Sequence, residues 1–410
     1  MRILRVRQDR NDEILQLGET PRLIKGDQMT GPKHSCGVVG ISADYDIAPS
    51  LYTALMIIQH RGQESAGISV FDGDSVETLK GNGLVNVALP KDAVRDIAGH
   101  VGVGHVRYST TGSKGAINAQ PFTVMTNFGT VAVAHNGDIT NYSELKEKYM
   151  KEGWTFLTDS DSELVTKLLG KYMTQYNDPV KSIRATMGEL DGAYALTILI
   201  DGRLFAIRDP YGFRPLCLGK LDGGYIAVSE SAAIDALHGD FVRDIEPGEI
   251  CEITKDTFKI YPAVAQHPKA YCMFEWVYFA RPDSVMDGRE VYDVRRRIGM
   301  ILARECPADV DLVMPVPDSG RAHAIGYSAR SRSPCLVQSV SSPKFSLRFV
   351  WNLWTSPGIR VGYFPLTQAR QRSLSLKPSA STRPSMLMYP RESAPMISRI
   401  SSMLWRVAMN

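Results

Sequence analysis

The chain has 410 residues, 44% of them hydrophobic, enough for two domains with a core each. Its net charge of +3 joins two unlike regions: residues 331–410 carry 11 Lys or Arg against one acidic residue, Glu392, whereas residues 1–330 carry 36 against 43. The mildly acidic body suits small-molecule chemistry. Six cysteines without CxxC spacing exclude a disulfide scaffold and favour a reducing, cytoplasmic setting, and no apolar run is long enough to span a membrane.

Residues 1–35 are polar and punctuated by Pro21, Gly26, Gly31 and Pro32. They lack an apolar core followed by a small-residue cleavage site, so they read as a leader or propeptide and not as a secretory signal. Met29 offers a second start seven residues before Cys36. HSCGVVGI then reads as a buried strand with a thiol at its head. Such a thiol is ordinarily an inert core cysteine.

From 36 to 262 short apolar runs alternate with Gly and Asp turns. Strands are predicted at 37–42, 67–71, 101–106, 130–134, 194–200, 203–208, 215–219 and 225–229. Helices are predicted at 51–62 and 161–176, the second capped by Ser160 or Asp161 with Glu163 in its first turn. Sheets covered by helices fit a two-sheet sandwich between helical layers. An aromatic linker follows, in which Phe274, Trp276, Tyr278 and Phe279 must pack against something. A charged amphipathic helix is expected at 289–305, and DLVMPVPDSGRAHAIGYSAR reads as strand, loop and helix.

Beyond Arg330 the last 80 residues hold 16 serines and 8 prolines, and they sustain neither strand nor helix period. A disordered basic arm is one reading. The aromatics Phe345, Phe349, Trp351, Trp354, Phe364 and Trp405 sit poorly with it.

Four polar junctions recast the thiol: HRGQESAG at 60–67, GHVRYSTTG at 104–112, AHNGDITNY at 134–142 and TDSDSE at 158–163. Together they resemble the class II glutamine amidotransferase domain, whose wording here is closest to the amidophosphoribosyltransferase family. The resemblance covers about 36–330. It implies a four-layer αββα N-terminal-nucleophile hydrolase sandwich, an α+β fold, followed by the start of an α/β phosphoribosyltransferase domain. The organisation expected is a leader at 1–35, an amidotransferase domain at 36–262, a linker and truncated transferase domain at 263–330 and an atypical tail at 331–410. A shifted reading frame after about 331 accounts for the tail's composition and for the missing acidic phosphate loop together.

The resemblance also implies roles. Cys36, freed as residue one, is the nucleophile, and its α-amine, with a pKa near 8, is the base; His34, His60, His105 and His135 are then structural. Arg107 clamps the glutamine carboxylate with a two-pronged guanidinium, Asp161 receives the ammonium, and Thr110 and Ser109 are secondary contacts. Asn136 and Gly137 supply oxyanion donors, although Asn-Gly on its own marks a tight turn. Arg61 and Gly62 support the nucleophile strand. Asp318, Ser319, Gly320 and Arg321 match a loop that binds the diphosphate of phosphoribosyl pyrophosphate.

Magnesium is expected for the transferase step, carried by substrate phosphates, and no protein metal ligand is identified. Cys272 matches one of four iron–sulfur ligands, and one cysteine cannot hold a cluster, so none is expected. The implied activity is transfer of glutamine-derived ammonia to phosphoribosyl pyrophosphate in purine synthesis, with the transferase half defective in this chain; a homo-oligomer is expected if that half is complete, without membrane contact. A stand-alone glutaminase and a nucleic-acid-binding protein acting through the basic tail are the alternatives.

Overall fold

Strands that are buried on both faces need a sheet on one side and helices on the other, and β1 (Gly37–Ala43) shows this over all seven residues. The computed structural model describes residues 36–108, 116–263, 267–315 and 319–335, and the backbone of 361–364. These residues divide into two compact units, one running through Val291 and the other beginning at Tyr292.

In the first unit β1 leads to α1 (Ala48–Ile57), β2 (Ser65–Phe71), β3 (Val76–Asn82), α2 (Val85–Ala88), α3 (Lys91–Asp96) and β4 (Val101–Arg107). The chain continues through β5 (Phe122–Thr126), β6 (Gly129–Ile139), α4 (Tyr142–Lys151), α5 (Asp161–Tyr176) and α6 (Pro179–Glu189). It closes with β7 (Gly192–Ile200), β8 (Arg203–Arg208), β9 (Cys217–Leu221), β10 (Gly224–Val228), α7 (Ala232–Ala236), β11 (Asp240–Asp244), β12 (Ile250–Ile253) and β13 (Phe258–Tyr261). A seven-stranded sheet has the order β11-β9-β10-β1-β4-β2-β3, and a six-stranded sheet the order β13-β12-β8-β7-β6-β5. Neighbouring strands in both are antiparallel.

Strand alternation sorts the side chains into three apolar layers. Val39 and Ile41 of β1 meet Leu51 and Leu55 of α1 on one outer face. Val38 meets Ala132, Ala134, Ala195 and Leu199 between the sheets. Val131, Val133, Leu196 and Ile198 meet Leu164, Val165, Leu168 and Leu169 of α5 on the other outer face. Each buried Val, Leu or Ile side chain among these contributes about 1.5–3 kcal/mol relative to exposure. The order helix, sheet, sheet, helix is the four-layer sandwich expected.

Helix α5 spans the predicted 161–176, with Ser160 as cap accepting from the Ser162 N–H. Helix α1 departs from the predicted 51–62. It starts at Ala48, because Pro49 is tolerated in a first turn, and the chain tightens to a 3-10 turn at Gln59–Arg61 that sends Arg61 inward. The aromatic linker forms a short π-helical turn at Glu275–Phe279 with Trp276 and Phe279 buried and Phe274 exposed. A small hairpin, β14 (Val285–Met286) with β15 (Arg289–Glu290), ends the unit. The sequence reading closes the first domain at 262, yet this segment belongs to the same compact unit through Val291.

In the second unit α8 (Val291–Glu305) precedes β16 (Leu312–Pro315) and α9 (Gly320–Ser331). Within the stretch that sustains no strand period, Val361–Phe364 forms β17, parallel to β16 with Val361 opposite Leu312. Four residues, VGYF, are too short a run to stand out among prolines and serines. The remainder of 331–410 beyond Cys335, like the leader 1–35, lies outside the described residues.

Candidate active site

Cys36 immediately precedes β1, and the register of Gly37 opposite Val106 sets it beside Arg107 at the end of β4. It is 7% exposed, with Sγ 4.0 Å from the Tyr108 carbonyl. Burial pushes the thiol pKa up, the charges of Arg107 and Arg214 pull it down, and Asp161 pushes it up again. Arg107 Nη1 reaches Glu64 at 3.3 Å, and its guanidinium has the planar donor set that suits a carboxylate.

Gly62 is extended and closes against this corner: a Cβ there would lie 2.5 Å from both the Arg107 nitrogen and the Val106 carbonyl carbon. Arg61, 1% exposed, donates from Nε to the Cys36 carbonyl at 2.9 Å. The pair therefore fixes the nucleophile's backbone from behind.

The second sheet supplies Asn136 and Gly137 near the end of β6. His105, between the sheets, ties the two halves: its Nε2 donates to the His135 carbonyl of β6 at 2.9 Å, while the His135 N–H donates to Gln120 Oε1 at 2.8 Å and the His135 ring turns outward to Ser162 of α5. Burial pushes the His105 imidazole down to about 3, so it is neutral near pH 7 and carries its proton on Nε2, facing that carbonyl. Asn136 follows directly. It is 0% exposed, and neither Oδ1 nor Nδ2 has a hydrogen-bond partner among the described residues. Gly137 admits no side chain, because a Cβ would stand 1.9 Å from the Ala193 carbonyl oxygen.

Asp161 opens α5, and its Oδ2 accepts from the Ile139 N–H at 3.1 Å, which pins the helix start to the end of β6. The structure thus brings Cys36, Arg61, Gly62, Arg107, Asn136, Gly137 and Asp161 to one end of the facing sheets. Thr110 and Ser109 lie outside the described residues. So does Asp318. Ser319 caps α9, Gly320 is its first residue and Arg321 its second, in the second unit, at a helix N-terminus that comes after strand β16 in the chain.

A glutamine amidotransferase domain family matches residues 105–236. The amidophosphoribosyltransferase of Archaeoglobus fulgidus is 45% identical over 301 residues, 73% of this chain and 66% of the relative; that of Methanocaldococcus jannaschii is 43% identical over 317 residues, 73% and 67%. The chain belongs to the amidophosphoribosyltransferase family. It spans about two thirds of the length of these relatives. Two solved members of the family align with it. One is the allosteric regulatory enzyme of purine biosynthesis, with a TM-score of 0.70 at 33% identity, over 77% of this chain and 70% of that one. The other is the Bacillus subtilis glutamine phosphoribosylpyrophosphate amidotransferase complexed with ADP and GMP, with 0.69 at 32%, over 76% and 70%.

Sequence reasoning missed three residues of this family member's site region: Arg214, Glu230 and Glu275. Arg61 Nη1 donates to Glu230 at 2.6 Å and Nη2 to Glu275 at 2.5 Å, and Arg214 Nη1 stands 3.5 Å from Glu275. A signal existed in the aromatic run CMFEWVYF, where a lone carboxylate has to be paired once its neighbours are buried.

Proposed function

We propose that the chain is an amidophosphoribosyltransferase whose glutaminase half is complete. Cys36 Sγ attacks the side-chain carbonyl of glutamine, the tetrahedral oxyanion is met by the Asn136 amide and the Gly137 N–H, and ammonia leaves with a proton returned by the base. Water then hydrolyses the thioester to glutamate. Arg107 and Asp161 hold the α-carboxylate and α-ammonium. The α-amine of Cys36, once 1–35 is removed, is the base in this reading, because His105, whose pKa burial depresses to about 3, is too weak a base to hold the thiol's proton.

The ammonia attacks C1 of phosphoribosyl pyrophosphate and expels pyrophosphate, giving phosphoribosylamine at the head of purine synthesis. Ser319, Gly320 and Arg321, with Asp318, cradle the diphosphate at the N-terminus of α9. Magnesium enters with the substrate's phosphates: among the described residues no three His, Cys, Asp or Glu gather as a metal site, so no protein ligand is assigned. A cytoplasmic homo-oligomer is part of the same reading, and among the described residues no helix is long and apolar enough to cross a membrane.

The observation that carries the proposal is Asn136, a buried amide neither of whose polar atoms has a partner among the described residues, on the strand that faces the sheet headed by the buried Cys36. A stand-alone glutaminase is the second reading, favoured by the absence of an adjacent-aspartate phosphate loop from the sequence. Ammonia and pyrophosphate release decide between them. Glutaminase that disappears in Cys36→Ser, with pyrophosphate release dependent on phosphoribosyl pyrophosphate, supports the full reaction; ammonia without pyrophosphate supports the second reading. Glutaminase surviving in Cys36→Ser refutes both.

A further inference from the structure

The segment after the sandwich, residues 272–285, does more than connect. Glu275, 2% exposed, reaches back across 214 residues of sequence to Arg61, accepting from Nη1 at 2.9 Å and Nη2 at 2.5 Å. That two-pronged geometry fixes the plane of the guanidinium. The same guanidinium's Nε donates to the Cys36 carbonyl, so its plane sets where the nucleophile's backbone lies.

Glu230, fully buried, holds the other edge of Arg61 and is itself gripped by the segment through the Arg281 N–H at 2.8 Å and the Ser284 hydroxyl at 2.9 Å. His60 Nε2 adds a fourth contact at 2.9 Å. Ser231 Oγ accepts from the Val285 N–H at 2.8 Å, anchoring the segment once more. Two arginines, Arg61 and Arg214, thereby face two carboxylates, all four residues buried. Although burial pushes its carboxyl up, Arg61 and His60 hold Glu230 well below the usual carboxylate range.

Such a network is not kept for stability alone. Desolvating four charges costs several kcal/mol per ion, and well-packed apolar replacements of buried ion pairs are commonly as stable. A network that ends on the carbonyl of Cys36 has a reason to be charged.

We propose that Glu275 is a positioning residue for the nucleophile, acting through Arg61 on the backbone of Cys36, so that residues 272–285 are a working part of the glutaminase site. The inference rests on the glutaminase reading above. It goes beyond the matched amidotransferase region, which ends at residue 236.

The test is a double-mutant cycle on the full chain, with kcat for glutamine hydrolysis read per titrated active site on the plateau of the pH profile. Glu275→Gln is expected to lower kcat by about 10- to 100-fold while the glutamine KM changes less than about threefold, because Glu275 contacts neither Arg107 nor Asp161. In an Arg61→Lys background, where the Nε bond is already gone, Glu275→Gln is expected to cost less than about twofold more. A residue that merely stabilises the fold lowers the melting temperature and the fraction of active chains but leaves kcat per active site unchanged, and that result overturns the proposal. So does full multiplication of the two single effects. If Glu275→Gln does not accumulate as folded protein, Glu275→Asp, which keeps the charge and shortens the reach, is read against the same outcomes. A wild-type chain inert on glutamine refutes the glutaminase reading itself, and this assignment with it.

Discussion

Asn136→Ala is expected to separate function from stability. The wild-type side chain is fully buried and both of its polar atoms lack partners among the described residues. An unpaired buried donor or acceptor costs about 1–3 kcal/mol, so deleting the amide relieves that penalty. The space it vacates costs about 1–2 kcal/mol of lost packing. The two nearly cancel, and the variant should melt within about 3 °C of the wild type or above it. Meanwhile loss of one preorganised oxyanion donor should lower glutaminase kcat by about 100- to 1000-fold, or about 3–4 kcal/mol of transition-state stabilisation. The assays are steady-state ammonia release and calorimetric unfolding on the same preparation. A variant with wild-type kcat and a melting temperature lowered by more than about 6 °C would show a structural amide and refute the reasoning.

Arg107→Lys should raise the glutamine KM by about 10-fold or more with a smaller fall in kcat, since one prong of a carboxylate clamp is lost; steady-state kinetics with kcat falling alone would reverse that assignment. His105, whose folded pKa is depressed to about 3, contributes stability that is complete above the unfolded value near 6.5 and declines as pH falls below it. Between pH 7 and pH 5 the loss should be about 2 kcal/mol. It is read as the difference between wild type and His105→Gln in denaturant midpoints, because Asp244, pushed up to about 6 by burial, acts with the opposite sign in both chains. Equal pH slopes would show that His105 is charged in the folded state. Arg214→Gln should move the acidic limb of the kcat profile to higher pH by about one unit, and an unmoved limb would remove Arg214 from the nucleophile's field.

What the sequence disclosed, it disclosed through local signals. Ser160, with Glu163 three residues on, located α5, and the short continuous apolar run in RLFAIR located β8 at Arg203–Arg208. Strands β3, β5 and β11 went unseen because they border their sheets or carry polar faces, so VETLKGN and DFVRD lack the apolar signature of a central strand. Helix α6 had an overlooked signal in Asp178-Pro179, where Asp178 accepts from the Lys181 N–H and the proline takes the first helical position. Cys36, Arg107, Asn136 and Asp161 were singled out by motif, and the fold gathers them. The network of Arg61, Glu230 and Glu275 was illegible because its contacts span 169 and 214 residues, and no local period encodes such a meeting.

The Arg214 prediction follows from what substrate does to the charges around the thiol. In the free chain Arg107 and Arg214 favour the thiolate, while burial and Asp161 oppose it. A bound glutamine is a zwitterion. In the proposed reading its carboxylate neutralises Arg107 and its ammonium neutralises Asp161, so the helping and the hindering charge are cancelled together. The same ligand displaces water and deepens the burial that already disfavours the anion. Arg214 is the cation that substrate does not consume: it is 8% exposed, its Nε has no partner among the described residues, and Glu275 steadies it from the far side at 3.5 Å. In the bound state the nucleophile's ionisation therefore depends on Arg214 and on the base far more than on Arg107. For that reason the Arg214→Gln shift should appear in kcat, which reports the complex, more strongly than in kcat/KM, which reports the free chain.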